Sequence, residues 1–233
     1  MIEGKGSALR WKKFPWLRIV VHIIGWLPLA KLLYDYRTHN LSVNPIQDIE
    51  QRLGRIALYF LIATLAVTPT YTVTGWRDIL TRRRALGLYT FLYACLHFLV
   101  FAGLDYGFNF RQIISLITQK GYIVLGSIAL LFLIPLAVTS FNFFIRRMGR
   151  NWRRLHWLIY PTGLIVIVHY AWTKKGNLFA LRGDILKPFL WGLFIILLLV
   201  LRLPPVRRAV SGARHALSAR LRRFARERKI HTN

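Results

Sequence analysis

The sequence predicts an all-α fold, a polytopic bundle of six transmembrane helices. Three observations carry that prediction. The chain is 55% hydrophobic, above the roughly 45–50% of ordinary soluble domains. The excess is concentrated in six apolar segments, most of them near the length of about 20 residues that spans a bilayer. The 34 Lys and Arg, against 8 Asp and Glu, collect mainly between and beyond those segments.

Residues 1–16 form a basic leader with Lys5, Arg10, Lys12 and Lys13. Leu17–Tyr34 is the first apolar segment, read as an uncleaved helix because no small-residue cleavage site follows it. A polar loop over 35–50 holds Asp35, Asp48 and Glu50. The second segment, Leu53–Thr70, is expected to stop at the helix-breaking Thr68, Pro69 and Thr70. Arg77, Arg82, Arg83 and Arg84 fill the next loop. Leu86–Leu104 is the third segment and contains His97, and residues 105–120 read as a loop. Gly121–Ser140 is the fourth, with Pro135 as an expected kink. After a stretch with five arginines comes the fifth, Leu155–Trp172, with His156 and His169 near its ends. The sixth is Pro188–Leu201, which closes a membrane domain over 17–203. The tail, 204–233, is rich in Arg and reads as an amphipathic helix on the membrane surface or a solvated extension. No internal repeat or low-complexity tract is visible.

Six helices place both termini on one side. That side holds 5, 4, 5 and 10 Lys or Arg in its four stretches, and the other side 1, 2 and 4 in its three loops. The positive-inside rule therefore puts both termini in the cytoplasm. The net charge of +26 is then a matter of topology and anionic lipid. Nucleic-acid binding is excluded, since no soluble domain remains to build it.

The chemistry narrows by elimination. All eight acidic residues lie in loops, tails or segment ends, which disfavours a proton-coupled transporter. No HExxH, P-loop or Ser-His-Asp set appears. The single Cys95 rules out an intramolecular disulfide, and no CxxCH offers covalent haem attachment. His22, His97, His156 and His169 fall inside apolar segments. Imidazoles there point to haem iron held between facing helices. Zinc would want four close ligands, and no cysteine or carboxylate is placed to complete such a set.

Depth then pairs the histidines. The third and fifth segments run in the same direction, and His97 and His169 reach similar levels in the outer half. A haem between those two helices follows. His156 lies 13 residues, about 20 Å, from His169 along the helix. It is either an iron ligand or an interfacial group touching headgroups or a haem propionate. His22 is the one buried candidate partner at its level.

Three stretches also carry a family resemblance: RRRALGLYTFLYACLH (82–97), PLAVTSFNFFIRRMGRNWRRLHWLIY (135–160) and VHY (168–170). They resemble the ferric-reductase-like transmembrane domain and, more closely, the MsrQ (formerly YedZ) family. HIIGWLPL (22–29) and GRIALYFLIATLAVTPT (54–70) are similar too. The resemblance implies the haem-binding inner-membrane subunit of a protein-methionine-sulfoxide repair system. It implies b-type haem, one or two per chain, and FMN as a further cofactor, although no flavin motif is identifiable. It also implies electrons from the quinone pool or a cytoplasmic flavin reductase, delivered to the periplasmic molybdopterin reductase MsrP. The family's haem-associated histidines fall on His97, His156 and His169. In two-haem relatives such as NADPH oxidases, the third helix carries another histidine about 14 residues earlier, roughly 21 Å along the helix. Here that slot is Arg83, which suits a propionate better than iron because guanidinium stays protonated. The family's Arg-Pro-Tyr before the fourth helix reads Lys120, Gly121 and Tyr122 here. With about 30 residues after the last helix, no FAD and NAD(P)H domain is expected within these residues. The alternatives are a membrane ferric or cupric reductase and, from another class, a non-redox anchor or transporter.

Overall fold

A computed structural model describes residues 16–174, 176–177 and 182–231, with side chains over 16–174 and 184–220. Ten α-helices are present among them. The one sheet is a two-residue antiparallel ladder between β1 (Gly176–Asn177) and β2 (Arg182–Gly183).

α1 (Trp16–Arg37) crosses first. Its last turn is clamped to the start of α2 (Pro45–Thr74) by Arg52, which donates to Asp35 at 2.6 Å and to both Asp48 oxygens at 2.8 and 2.9 Å. All three acids expected in a loop, Asp35, Asp48 and Glu50, thus sit in helix ends. α2 begins with Asn44 as N-cap, accepting from the Gln47 N–H, and with Pro45 at the first helical position.

α2 does not stop at Thr70. It runs to Thr74 and closes on Gly75, whose φ of +76° is the left-handed cap glycine provides. Pro69 removes the N–H that would have bonded the Leu65 carbonyl. The Arg202 guanidinium takes its place, donating to Leu65 O at 2.6 Å through Nη2 and at 3.2 Å through Nε. The orphaned acceptor is therefore satisfied from the far end of the chain, and the helix continues.

A 3-10 turn (Arg77–Arg82) leads into α3 (Arg83–Leu99), which a π-helical turn extends to Asp105. The stretch expected as a loop contains α4 (Phe110–Gln119). Its apolar residues recur at helical spacing, with Ile113 buried and Phe110 and Ile114 exposed. α5 (Gly121–Val138) returns. Two short helices, α6 (Asn142–Met148) and α7 (Arg150–Leu155), turn about Gly149 at φ +52°. A 3-10 turn at His156–Leu158 then joins α8 (Ile159–Trp172).

α9 (Leu186–Val200) has 15 residues, about 22 Å. α10 (Pro204–His231) bends away from it by 79°. Among the described residues five segments are long and apolar enough to cross a membrane alone, and the bent pair makes a sixth if it counts as one span. The tail is thus helical, and Arg214 donates to the Tyr71 and Thr72 carbonyls at 3.0 Å each. That cation at the end of α2 complements the helix dipole.

Two packed clusters hold the bundle. One joins Leu58, Leu61, Ile62 and Leu65 of α2 to Leu133 and Leu136 of α5, Ile159 of α8, and Ile195 and Leu198 of α9. The other joins α1 to α2 and α3 through Val21, Phe60, Tyr89 and Tyr93. α1 approaches α3 over Gly25, where a Cβ would collide with the Tyr89 ring, and Tyr93 donates to the Gly25 carbonyl at 2.6 Å.

Candidate haem site between two helical hairpins

α2 and α3 form one antiparallel hairpin, and α5 and α8 another. His97, on α3, and His169, on α8, face each other where the hairpins meet. Their ring centroids are 6.4 Å apart and their planes cross at 76°. Each ring is anchored to the other helix of its own hairpin. His97 Nδ1–H donates to the Glu50 carbonyl of α2 at 2.9 Å. His169 Nδ1–H donates to the Tyr122 carbonyl of α5 at 2.6 Å. A carbonyl can only accept, so both rings carry their proton on Nδ1 and leave the Nε2 lone pair free.

This is the donor set an axially coordinated metal wants: neutral imidazole, with the second nitrogen held by a backbone acceptor. The spacing fits as well. Two metal–imidazole bonds of about 2 Å each, with the half-width of either ring added, span about 6 Å. No group of three or more metal-ligating side chains occurs among the described residues, so a closed zinc site is absent there. Two imidazoles suit a metal whose other positions are already filled, as in haem.

The histidine near the other end of the α7–α8 segment is used differently. Thr139 spends its one hydroxyl proton on the Pro135 carbonyl at 2.6 Å. The 3.2 Å contact between Thr139 Oγ1 and His156 Nε2 is therefore donated by the histidine. Trp152 packs against the same ring at a tilt of 34° with centroids 4.1 Å apart, and its indole N–H donates to the Thr139 carbonyl at 2.9 Å. His156 thus carries its proton on the nitrogen that faces Thr139. Arg83 is the first residue of α3 and lies within electrostatic reach of His156 and Arg202. His22 does not partner His156; it shares a hydrogen bond of 2.9 Å with the Tyr89 hydroxyl.

The two hairpins also share a register that reading the sequence alone did not reveal. Glu50, Gly54 and His97 each lie 72 residues before Tyr122, Gly126 and His169. At that offset Leu53–Ile62 (LGRIALYFLI) and Leu125–Ile134 (LGSIALLFLI) agree at eight of ten positions. Leu65–Thr68 and Leu136–Thr139 are both LAVT, one residue closer. Thr90 and Thr162, also 72 apart, are both buried and both back-bond, to Leu86 O at 3.0 Å and to Leu158 O at 2.7 Å. The chain therefore contains an internal repeat, contrary to the expectation above. The backbone acceptors and glycines of the site are the residues that expectation missed, and the repeated LGxIALxFLI is the signal that finds them.

Residues 53–168 match the family described as ferric reductase like transmembrane component. Curated relatives named protein-methionine-sulfoxide reductase heme-binding subunit MsrQ match over most of the chain. The one from Rhodospirillum rubrum is 39% identical over 197 residues, 84% of this chain and 91% of the relative. That from Herminiimonas arsenicoxydans is 35% identical over 80% of this chain and 84% of the relative. That from Xanthomonas campestris pv. campestris (strain B100) is 38% identical over 78% and 83%. No solved structure matches the chain. With residues 53–168 matched by the first description and 78–84% of the chain by the second, the chain belongs to the MsrQ family and carries its ferric-reductase-like transmembrane domain.

Proposed function

We propose that the protein is a membrane electron-transfer subunit holding one b-type haem between His97 and His169. The observation that carries this reading is the facing pair of imidazoles, each tied by Nδ1 to a backbone carbonyl and each presenting a free Nε2. The names of the relatives supply the same cofactor. When bound, haem iron would accept and release one electron at a time. The protein's part is to hold both rings in one tautomer at one separation, so that the residues that would hold the iron need little rearrangement on electron transfer.

The direction of transfer follows from charge and depth. The excess of basic residues in alternate loops supports termini in the cytoplasm of a bacterium and a chain in its inner membrane. His97 lies 14 residues beyond Arg83 along α3, roughly 21 Å. The haem then stands in the outer half, near a periplasmic acceptor. We assign that acceptor as a methionine-sulfoxide reductase of the MsrP type, in line with the relatives' names. The donor is a membrane quinol or a cytoplasmic flavin reductase. Arg83 is too far from His97 to reach the propionates of this haem, and His156 is not assigned to iron. For FMN, expected from the resemblance, no residue of the described structure is assigned.

The test is a reduced-minus-oxidised spectrum of purified, haem-replete protein with haem quantified per chain. One low-spin haem per chain supports the reading. Absence of haem absorbance overturns it in favour of a non-redox anchor. Reduced protein that reoxidises with iron chelates but not with the periplasmic reductase transfers the proposal to a metal reductase.

A further inference from the structure

We infer that Gly54 and Gly126 are positioning residues that seat the two imidazoles, one in each copy of the repeated hairpin. This rests on the haem reading above and goes beyond it, because neither glycine offers a side chain to any cofactor.

In an α-helix the Cβ of residue i+4 leans back over the carbonyl of residue i. Glu50 and Tyr122 supply the carbonyls that hold the rings, and the residues four positions on are Gly54 and Gly126. A Cβ at Gly54 would stand 3.2 Å from both Cε1 and Nδ1 of His97. A Cβ at Gly126 would stand 2.9 Å from Cε1 and 3.1 Å from Nδ1 of His169. At Gly126 a Cβ would force the His169 ring to shift, and at Gly54 it would press the His97 ring back by a few tenths of an ångström. The bare helix lets ring and carbonyl meet without that crowding. The coincidence occurs twice, at a 72-residue offset, inside the stretch where eight of ten residues agree.

The consequence is orientation. Each Nδ1–H bond fixes its ring's rotation, and together they cross the two planes at 76°. Crossed axial imidazoles on a ferric haem give a strongly anisotropic low-spin electron paramagnetic resonance signal, and parallel ones a rhombic signal. The glycines thus set both the retention of haem and the electronic character of its iron.

The experiment compares full-length wild type with Gly54→Ala, Gly126→Ala and Gly192→Ala, all purified haem-replete in detergent. Gly192 is the control, because a Cβ there would lie 3.0 Å from Ile167 Cγ2, equally crowded but away from both rings. Haem per chain, the ferric resonance spectrum and helical content are read on the same samples. Alanine favours helix over glycine, so helical content is expected to hold in all three. Gly126→Ala, the tighter site, is expected to lower haem affinity by about 10-fold or more, as loss of an outer hydrogen-bond partner does at metal sites. Gly54→Ala is expected to keep more haem but to move its signal away from the crossed-plane form. If Gly126→Ala fails to fold, Gly54→Ala decides alone. Unchanged haem content and spectrum in the decisive variants, with haem present in wild type, overturn the seating inference and leave the functional reading standing. A wild type without haem overturns both.

Discussion

The bundle has two levels at which a histidine faces another helix, and they are built on different logic. At the outer level both hairpins contribute the same parts: a carbonyl, a glycine four residues later and an imidazole with its outer nitrogen free. At the inner level only one hairpin contributes a histidine. At the repeat offset, position 156 corresponds to Arg84, which reaches away to Asn142 at 2.9 Å. His156 itself packs against Trp152 and donates to Thr139. A group held on its two faces would need two matched donors, and the repeat presents such a pair at one level alone. The inner level reads as scaffold, with Arg202 tying α9 to α2 and Arg214 closing the end of α2.

The largest expected effect breaks the outer level directly. His97→Ala or His169→Ala removes one of the two imidazoles proposed to hold haem and leaves its carbonyl without the ring. Each variant is expected to lose most of its haem. The cost should exceed the about 10–100-fold that outer-layer substitutions take from metal sites. Haem per chain, measured after membrane extraction, checks this. A normal low-spin spectrum in either variant would show that the pair does not hold the iron.

An effect of intermediate size tests whether the inner level is scaffold. Arg202→Ala leaves the Leu65 carbonyl without a donor at Pro69 and removes the contact to the Tyr160 hydroxyl at 3.2 Å. Hydrogen bonds to charged groups contribute about 1.5–3 kcal/mol. A loss of stability of about that size is expected in denaturant unfolding in micelles, with haem per folded chain unchanged. Haem loss without loss of stability would move Arg202 from scaffold to site.

Much of this organisation is legible from residue types, and the limits are physical. Depth pairs His97 with His169 because both helices run the same way, and that needs only sequence position. Glu50 and Tyr122 are invisible to such reasoning, since they act through backbone oxygens that every residue possesses. Thr68, Pro69 and Thr70 read as a helix stop because the donor that rescues the helix, Arg202, lies 137 residues from Leu65. The stretch 105–120 looks like a loop because α4 is short and carries Arg111, Gln112 and Gln119. The repeat is hidden in an apolar background where Leu, Ile and Ala recur everywhere. It becomes distinct once hydrogen bonds fix which residues correspond.

The smallest expected effect belongs to His156, and it sharpens the comparison most. If Nε2 carries its proton to Thr139, the ring has no lone pair facing that partner, and His156→Ala removes packing against Trp152 and one neutral hydrogen bond. Such a bond contributes about 1 kcal/mol. Haem per chain and the low-spin spectrum are therefore expected to match wild type, with a modest fall in stability. Thr139→Val provides the complementary view by deleting the acceptor and keeping the ring. If the inner level were a second site, His156→Ala would halve the haem, whereas Thr139→Val would retain it by freeing the imidazole to turn toward iron. Equal haem in both variants keeps the iron at the outer level alone, where the duplicated hairpins supply both donors.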